Sequence, residues 1–324
     1  MKAQRNPHFT VSAFAPATVA NVTCGFDVFG LAAEAPGDVV HLRWSATGSS
    51  KRVNILRISG DGGVLPTDGE RNTAGVAILR LMSQYGIDRA VDLELDKGLP
   101  LGSGMGSSAA SSVASLVAFN ELAGLGLTPR QLLPFALESE RMACGSAHAD
   151  NVAPCLLGGF VLIRSYEPLD VISIPFPSGL RIVLVHPDIE LQTRDSRKVL
   201  RASLSLPDAV RQWGNTAGVV AGLMSGDMEL LSRSMVDHVV EPVRGLLIPG
   251  YDQVRSAALS AGAIGAGISG SGPSLFAICL PSAHDQELPN RIGQAMQQAF
   301  ASAGLTSHYY VSGLSSTGAT ILRD

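Results

Sequence analysis

Eleven residues, Pro100-Leu-Gly-Ser-Gly-Met-Gly-Ser-Ser-Ala-Ala110, constrain this chain more than any other feature. Glycine stands at 102, 104 and 106, so the backbone there can take positive φ and come close to a ligand. Upstream, Val91 to Asp96 alternates Val91, Leu93 and Leu95 with acids, which is the period of a half-buried strand. Downstream, Ser107 to Ala123 reads as a buried helix ended by Gly124 and Gly126. A glycine loop between strand and helix turns free N–H groups toward an anion, with the Ser107 and Ser108 hydroxyls beside them. The spacing is GxGxG rather than the GxGxxG of a dinucleotide fingerprint, and no Gly-Lys-Ser/Thr exists for a Walker loop. The competing reading is a flexible Gly/Ser connection.

A chain of 324 residues suggests about two domains, since domains run to roughly 100 to 200 residues. With 46% hydrophobic and 16% charged residues, global disorder is excluded. Twenty-four basic against 28 acidic residues, with no Lys/Arg tract, leave no footprint for nucleic acid. Cys24, Cys144, Cys155 and Cys279 form no CxxC pair, which argues against a disulfide framework or zinc site and for a reducing compartment. The opening Met1 to His8 lacks the apolar stretch of a secretory signal. Two segments carry no charge, Leu99 to Asn120 and Ser256 to His284. Both are too interrupted by glycine, serine or proline to span a bilayer. A soluble cytoplasmic protein without membrane or nucleic-acid partners is expected.

Strands are predicted over Asp38–Thr47, Val91–Asp96, Phe160–Ile163, Arg181–His186 and Ser274–Leu280, with others near Tyr309 and Ala319. Helices are predicted over Asn72–Tyr85, Ser107–Ala123, Pro129–Met142 (capped by Thr128), Tyr251–Ala261 and Asp285–Ala303, with three more inside Arg194–Val236. Helices and strands mix without a regular βαβ rhythm, so the class is α+β. The proline-rich stretch Tyr166 to Gly179 marks a domain seam, dividing the chain into 1–170 and 171–324.

Four further segments could carry chemistry. Gly265 to Ser274 is read as a second glycine loop, either a tight connection in the core or a second backbone patch on the same polyanion. Asn21 and Asp27 interrupt an apolar run; they are either turn residues or acceptors for a small polar substrate. Glu140 lies near a helix end, and His148, Asp150 and Asn151 are placed in the loop after it. Glu140 would suit magnesium, which prefers hard oxygen donors. Thr193 to Arg197 and Glu241 to Arg244 bring arginines that could pair at the surface or clamp a carboxylate.

In combination and in order, these segments resemble the GHMP small-molecule kinases over almost the whole chain. Pro16–Gly30 is similar to the family's first motif, Pro100–Ala110 to its phosphate-binding second and Gly267–Ser274 to its third. His148-Ala-Asp-Asn-Val-Ala-Pro154, Thr193-x-x-x-Arg197 and Glu241-Pro-Val-Arg244 point to the branch whose acceptor is L-homoserine. The resemblance implies a domain like the second domain of ribosomal protein S5, joined to a ferredoxin-like C-terminal domain. ATP-dependent phosphorylation of the homoserine side-chain hydroxyl, on the way to threonine, would occur between them. It places Asn21, Asp27, His148, Thr193, Arg197 and Arg244 around the substrate. Pro100, Leu101, Gly102, Ser103, Gly104, Met105, Gly106, Ser107, Ser108, Ala109, Ala110 and Gly270 would surround the phosphates, and Asn72 the adenine. Ser108 and Glu140 would be the Mg2+ ligands. Asn151 would meet the acceptor hydroxyl, with no strong base and Asp150 the weaker candidate for one. Val22-Thr23-Cys24 departs from the Leu-Gly-Pro-like stretch common in the family. Alternatives are a kinase of another small alcohol, such as mevalonate or shikimate, and a non-catalytic ligand sensor of the same fold. A homodimer is left open.

Overall fold

The computed structural model describes residues 10–46, 51–144 and 148–323. The Met1 to His8 opening, Thr47 of the expected strand and residues 145–147 lie outside the described residues.

The first sheet is built on one long strand. β1 (Thr10–Ala20) and β2 (Phe29–Trp44) pair antiparallel along most of their length, and β2 also pairs with β4 (Val91–Asp96). β3 (Val53–Ser59) lies parallel to β4, with the helix α1 (Thr73–Tyr85) as its crossover. Val91, Leu93 and Leu95 of β4 are buried, while Asp92, Glu94 and Asp96 face arginines and a histidine of neighbouring strands. The predicted alternation is therefore the real one. α2 (Ser107–Ala123) and α4 (Ala149–Leu157) join α1 in covering the sheet, and α3 (Pro129–Cys144) packs against these three helices. Thr128 and Gln131 cap the start of α3 reciprocally: Gln131 Oε1 accepts from the Thr128 N–H at 2.9 Å, and Thr128 Oγ1 from the Gln131 N–H at 3.4 Å.

Two readings need correction. His148, Asp150 and Asn151 are not in a loop: His148 is the N-cap of α4, and Asp150 and Asn151 form its first turn. The helix survives Pro154 in its interior because nearly every side chain in it is buried against the sheet, and tertiary packing outweighs the helix-breaking tendency. Nor is Gly265–Ser274 all loop, because Gly265–Ile268 forms a strand and only 269–274 turn.

After β5 (Phe160–Tyr166) and β6 (Leu169–Ile174), which extend the first sheet beside β2, the chain changes sheets. The expected division at 170/171 falls inside β6; the crossing comes at 175–180. The second sheet has the order β10-β7-β9-β8: β7 (Arg181–Pro187), β8 (Gly265–Ile268), β9 (Leu275–Cys279) and β10 (Ser307–Gly313), all antiparallel. Between β7 and β8 come α5 (Thr193–Lys198), α6 (Leu206–Ser225), α7 (Met228–Ser234), α8 (Glu241–Arg244) and α9 (Tyr251–Ser260). α9 and α10 (Leu288–Ser302) cover the sheet with their own cluster of Val254, Ile292, Met296 and Phe300. The last strand, β11 (Thr320–Leu322), returns to pair with β1, so the second unit is inserted in the first sheet rather than appended to it. Among the described residues no helix is long and apolar enough to cross a membrane. Cys24, Cys155 and Cys279 are buried and free.

One buried ion pair ties these layers together under the glycine loop. Lys97 Nζ donates to Asp38 of β2, to the Ser107 carbonyl at 2.9 Å and to Ser111 Oγ at 2.9 Å. The Asp38 carboxylate also accepts from Ser111 Oγ and from the N–H groups of Gly98 and Leu99. Burial pulls the Lys97 pKa down against the attraction of Asp38. Removing one partner leaves the other charge buried alone, so Lys97→Met should lower unfolding free energy by about 3–5 kcal/mol. Urea denaturation checks this, and a loss under ~1 kcal/mol would contradict it.

Candidate functional site

Gly102, Gly104 and Gly106 all have positive φ, between 62° and 76°. Two of them have no alternative. A Cβ on Gly104 would lie 2.4 Å from the Ser269 carbonyl, and one on Gly106 would lie 2.0 Å from Thr18 Oγ1. Gly106 is also the N-cap of α2 and supplies no side-chain oxygen to its first turn, whose residues Ser107, Ser108 and Ala109 line the cavity. The loop is held from both sides. Thr18 N–H donates to the Met105 carbonyl, Ser269 Oγ to the Gly104 carbonyl and Ser274 N–H to the Ser103 carbonyl. Every one of these contacts uses a loop carbonyl, and the Met105 N–H is taken within the loop by Ser103 Oγ at 3.3 Å.

The loop forms one wall of a cavity of about 240 Å³ that lies where the two sheets meet. Gly102, Ser103, Gly104, Gly106, Ser107, Ser108 and Ala109 line that wall. Asn21 and Asp27 come from the β1–β2 turn, Glu140 from α3, and His148, Asp150 and Asn151 from the start of α4. Thr193 and Arg197 come from α5, Arg244 from α8, and Gly270 and Ser271 from the turn after β8. Five expected residues are not on it. Met105 and Ala110 are buried in the core, and Pro100 and Leu101 stand aside. Asn72 is the N-cap of α1, its Oδ1 accepting from Ala74 N–H and its Nδ2 donating to the Pro66 carbonyl.

The β1–β2 turn is strained. Asn21, Val22 and Thr23 have φ of 72°, 42° and 61°, and Asp27 has 59°. Such conformations cost about 1–3 kcal/mol each for non-glycine residues and persist only when the surroundings enforce them. Asn21 does much of this: its Oδ1 accepts from Asp27 N–H at 3.0 Å and its Nδ2 donates to the Gly270 carbonyl at 2.7 Å. The turn reading of Asn21 is therefore real, although one lone pair and one N–H remain for a ligand. Gly270 is likewise committed. Its N–H goes to the Ala20 carbonyl, and its own carbonyl also accepts from Arg244 Nη1. It locks the β1–β2 turn to the turn after β8 instead of offering a free amide.

Arg197 and Asp27 form a two-pronged pair, 2.6 and 3.1 Å. Arg244 is buried, donating to the Ser196 and Gly270 carbonyls. Both guanidinium groups lie over the ring of Phe26, at 5.4 and 5.1 Å. Burial, then repulsion from Arg197, pushes the Arg244 pKa down to about 10. Asp237 positions Arg244 from behind, its carboxylate accepting from the N–H groups of Val239, Val240 and Glu241. Glu241 carries no charge to the site: it accepts from Ile268 N–H and the Tyr251 hydroxyl inside the second core.

On the remaining wall, Thr18 Oγ1 donates to Asn151 Oδ1 at 2.9 Å, which fixes that amide. Glu140 Oε1 and Asp150 Oδ1 are buried without a hydrogen-bond partner. His148 Nδ1 lies 4.0 Å from Glu140 Oε2. Thr18 and Phe26 are the residues that reading the sequence overlooked. Phe26 lies beside Asp27 inside the first motif, whereas nothing local to Thr18 distinguishes it from any strand threonine.

Asp150 is enclosed, and burial, reinforced by the charge of Asp27, raises its pKa to about 7 against the pull of His148 and Arg197. For an acid whose folded pKa is raised, the unfolded chain ionises first, so stability is lost as pH climbs from about 4 to about 7. Asp150→Asn, which copies the neutral form, should flatten the stability–pH curve in that window. Urea midpoints at the two ends check this; an unchanged slope would contradict it.

Comparison with known proteins was made on this geometry. Residues 72–159 match the N terminal domain of the GHMP kinases, and residues 219–302 match the GHMP kinases C terminal domain. The chain is 48% identical over 323 residues to a homoserine kinase of Chlorobium phaeobacteroides (strain BS1), covering 97% of this chain and 99% of that one. It is 50% identical over 322 residues to a homoserine kinase of Chlorobium phaeovibrioides, with 97% and 99% covered. The crystal structure of homoserine kinase from Cytophaga hutchinsonii superposes with a TM-score of 0.93 at 50% identity, covering 99% of each chain.

Proposed function

The chain belongs to the homoserine kinases of the GHMP kinase family, and from that premise we propose how its cavity passes the terminal phosphoryl group of ATP to L-homoserine. The protein is an ATP-dependent kinase of the homoserine side-chain hydroxyl, a step in threonine biosynthesis, and it acts on small molecules. The observation that carries the mechanism is the positive-φ glycine loop at the N-terminus of α2, which lines the cavity and is faced by a carboxylate and two guanidinium groups. The amides and the α2 N-terminus hold the phosphates; Asn72 remains the candidate for the adenine.

Homoserine carries an ammonium and a carboxylate, and the Asp27–Arg197 pair supplies the complement of each. The substrate separates the pair by replacing one interaction with two: its ammonium on Asp27, its carboxylate on Arg197 and Arg244, with Thr193 and His148 beside it. Asn21 keeps the turn in shape and offers its remaining N–H. Asn151, its oxygen held by Thr18, turns its Nδ2 toward the acceptor hydroxyl. Phosphoryl transfer through a loose transition state depends on in-line positioning and charge neutralisation more than on a strong base. Asp150, near neutral pH partly protonated, accepts the hydroxyl proton through its ionised fraction late in the transfer, as the new O–P bond forms.

Glu140 and Ser108 would hold Mg2+. Glu140 fits, because it is a hard oxygen donor with a buried, unpartnered Oε1 facing the same cavity as Ser108. Magnesium supplies charge neutralisation at the phosphates. The buried free thiols suit a reducing cytoplasm, and a homodimer is the proposed assembly.

The test is ADP release with MgATP and a panel of L-homoserine, mevalonate and shikimate. Homoserine alone should support turnover, with O-phospho-L-homoserine as product, and turnover with either of the others instead would reject the reading. Arg244→Ala should raise KM for homoserine about 30-fold or more while leaving KM for ATP within about threefold, as loss of charge-assisted bonds to one substrate requires. Equal effects on both would remove Arg244 from the carboxylate. Ser108→Ala should instead weaken the dependence on MgATP.

A further inference from the structure

The two arginines of the cavity share one neighbour, the ring of Phe26. Phe26 is the second residue of a tight turn closed by the Val28 N–H on the Gly25 carbonyl at 2.9 Å. Beside it, the Asp27 carbonyl accepts from the Tyr166 hydroxyl at 2.8 Å, which ties the turn to β5. Main chain therefore places the half-buried ring, with the Arg197 and Arg244 guanidinium carbons 5.4 and 5.1 Å from its centroid. Both distances lie inside the roughly 6 Å over which a ring face attracts a cation.

Neither arginine is well compensated without that ring. Arg244 is buried, and its hydrogen bonds go to two neutral carbonyls, those of Ser196 and Gly270. Arg197 donates from Nη1 and Nη2 to Asp27, while its Nε is buried with no hydrogen-bond partner. In the proposed binding mode homoserine draws Asp27 away with its ammonium, and Arg197 then loses both of those bonds. The two cations also repel each other, and that repulsion adds to burial in lowering the Arg244 pKa.

A carboxylate in place of Phe26 would neutralise the arginines, but it would also take the N–H groups that the carboxylate of the substrate needs. An aliphatic side chain would leave those N–H groups free and the charges without support. A phenyl face does what neither can, because its quadrupole attracts both guanidinium groups while it accepts no strong hydrogen bond. We infer that Phe26 is a positioning residue for the acceptor: its ring face keeps Arg197 and Arg244 charged and side by side, with N–H groups to spare, and so sets the affinity of the cavity for a substrate that bears a carboxylate. This rests on the proposed pairing of both arginines with that carboxylate. The property that matters is the electron density of the ring, and its bulk is secondary.

Phenylalanine bearing one, two or three ring fluorines, introduced at position 26 by stop-codon suppression, weakens the ring face stepwise at nearly constant shape. KM for homoserine should climb at each step, to about tenfold with three fluorines, while kcat and KM for ATP stay within about threefold and the melting temperature holds. Phe26→Leu should match the end of the series. In an Arg244→Ala background the fluorines should lose about half of their effect, since one of the two cations is gone; an undiminished effect there overturns the inference. A KM for homoserine that is flat along the series, while Arg244→Ala alone raises it, overturns the role of Phe26 and leaves the carboxylate reading intact. A flat series together with an Arg244→Ala that spares homoserine overturns both. A melting temperature that falls in step with the fluorines assigns the ring to packing and overturns the inference as well.

Discussion

The buried contact between Lys97 and Asp38 is what the rest of the site depends on. Two charges withdrawn from water are tolerated only when their remaining hydrogen-bonding groups are satisfied, and here the satisfying groups are parts of the phosphate loop. The Gly98 and Leu99 amides, the Ser107 carbonyl and the Ser111 hydroxyl all converge on the pair. One desolvated interaction therefore joins β2, the end of β4, the start of the loop and the first turns of α2. The lysine nearest the loop is consumed behind it, so in the proposed binding mode the phosphates would meet main chain rather than a lysine.

The loop's other face depends on the second sheet. Ser269 and Ser274 draw the carbonyls of Gly104 and Ser103 outward, and Gly270 binds Ala20, Asn21 and Arg244 together. The turn after β8 is a brace that couples the two units of the chain through the cavity between them. The return of β11 to β1 closes the same connection covalently from the far end. Strain in the β1–β2 turn survives because this brace holds Asn21.

Charge in the cavity is arranged in compensated sets. Asp27 with Arg197 is an opposite pair, whereas Arg244 and Asp150 are each shifted toward their neutral forms by burial. In the proposed binding mode a zwitterionic acceptor would exchange partners with that pair without leaving a bare charge. That is a physical reason for a kinase of a charged amino acid to carry both an acid and two bases where a kinase of a neutral alcohol would have no use for them.

Much of this was legible in the residues themselves. The glycines at 102, 104 and 106, the alternation along Val91 to Asp96 and the helix from Pro129 with its cap at Thr128 are local signals, governed by φ preference, side-chain period and capping, and the folded chain keeps them. The ordered motifs were enough to name the kinase family and to gather Asp27, His148, Asn151, Arg197 and Arg244 as one group. Other features were decided by contacts between residues far apart in the chain. The helix at 149–157 forms despite Pro154 because its side chains are buried, and Gly270 becomes a brace because Ala20, Asn21 and Arg244 reach it from elsewhere. Thr18 holds Asn151 across 133 positions, and α6 turns Gln212 and Asn215 inward beside its buried Val219 and Leu223 because Cys24 and Val236 present carbonyls there. Sequence by itself determined what depends on neighbours along the chain; tertiary structure decided which buried polar groups would be satisfied and by whom, because those partners exist only once the two sheets have met.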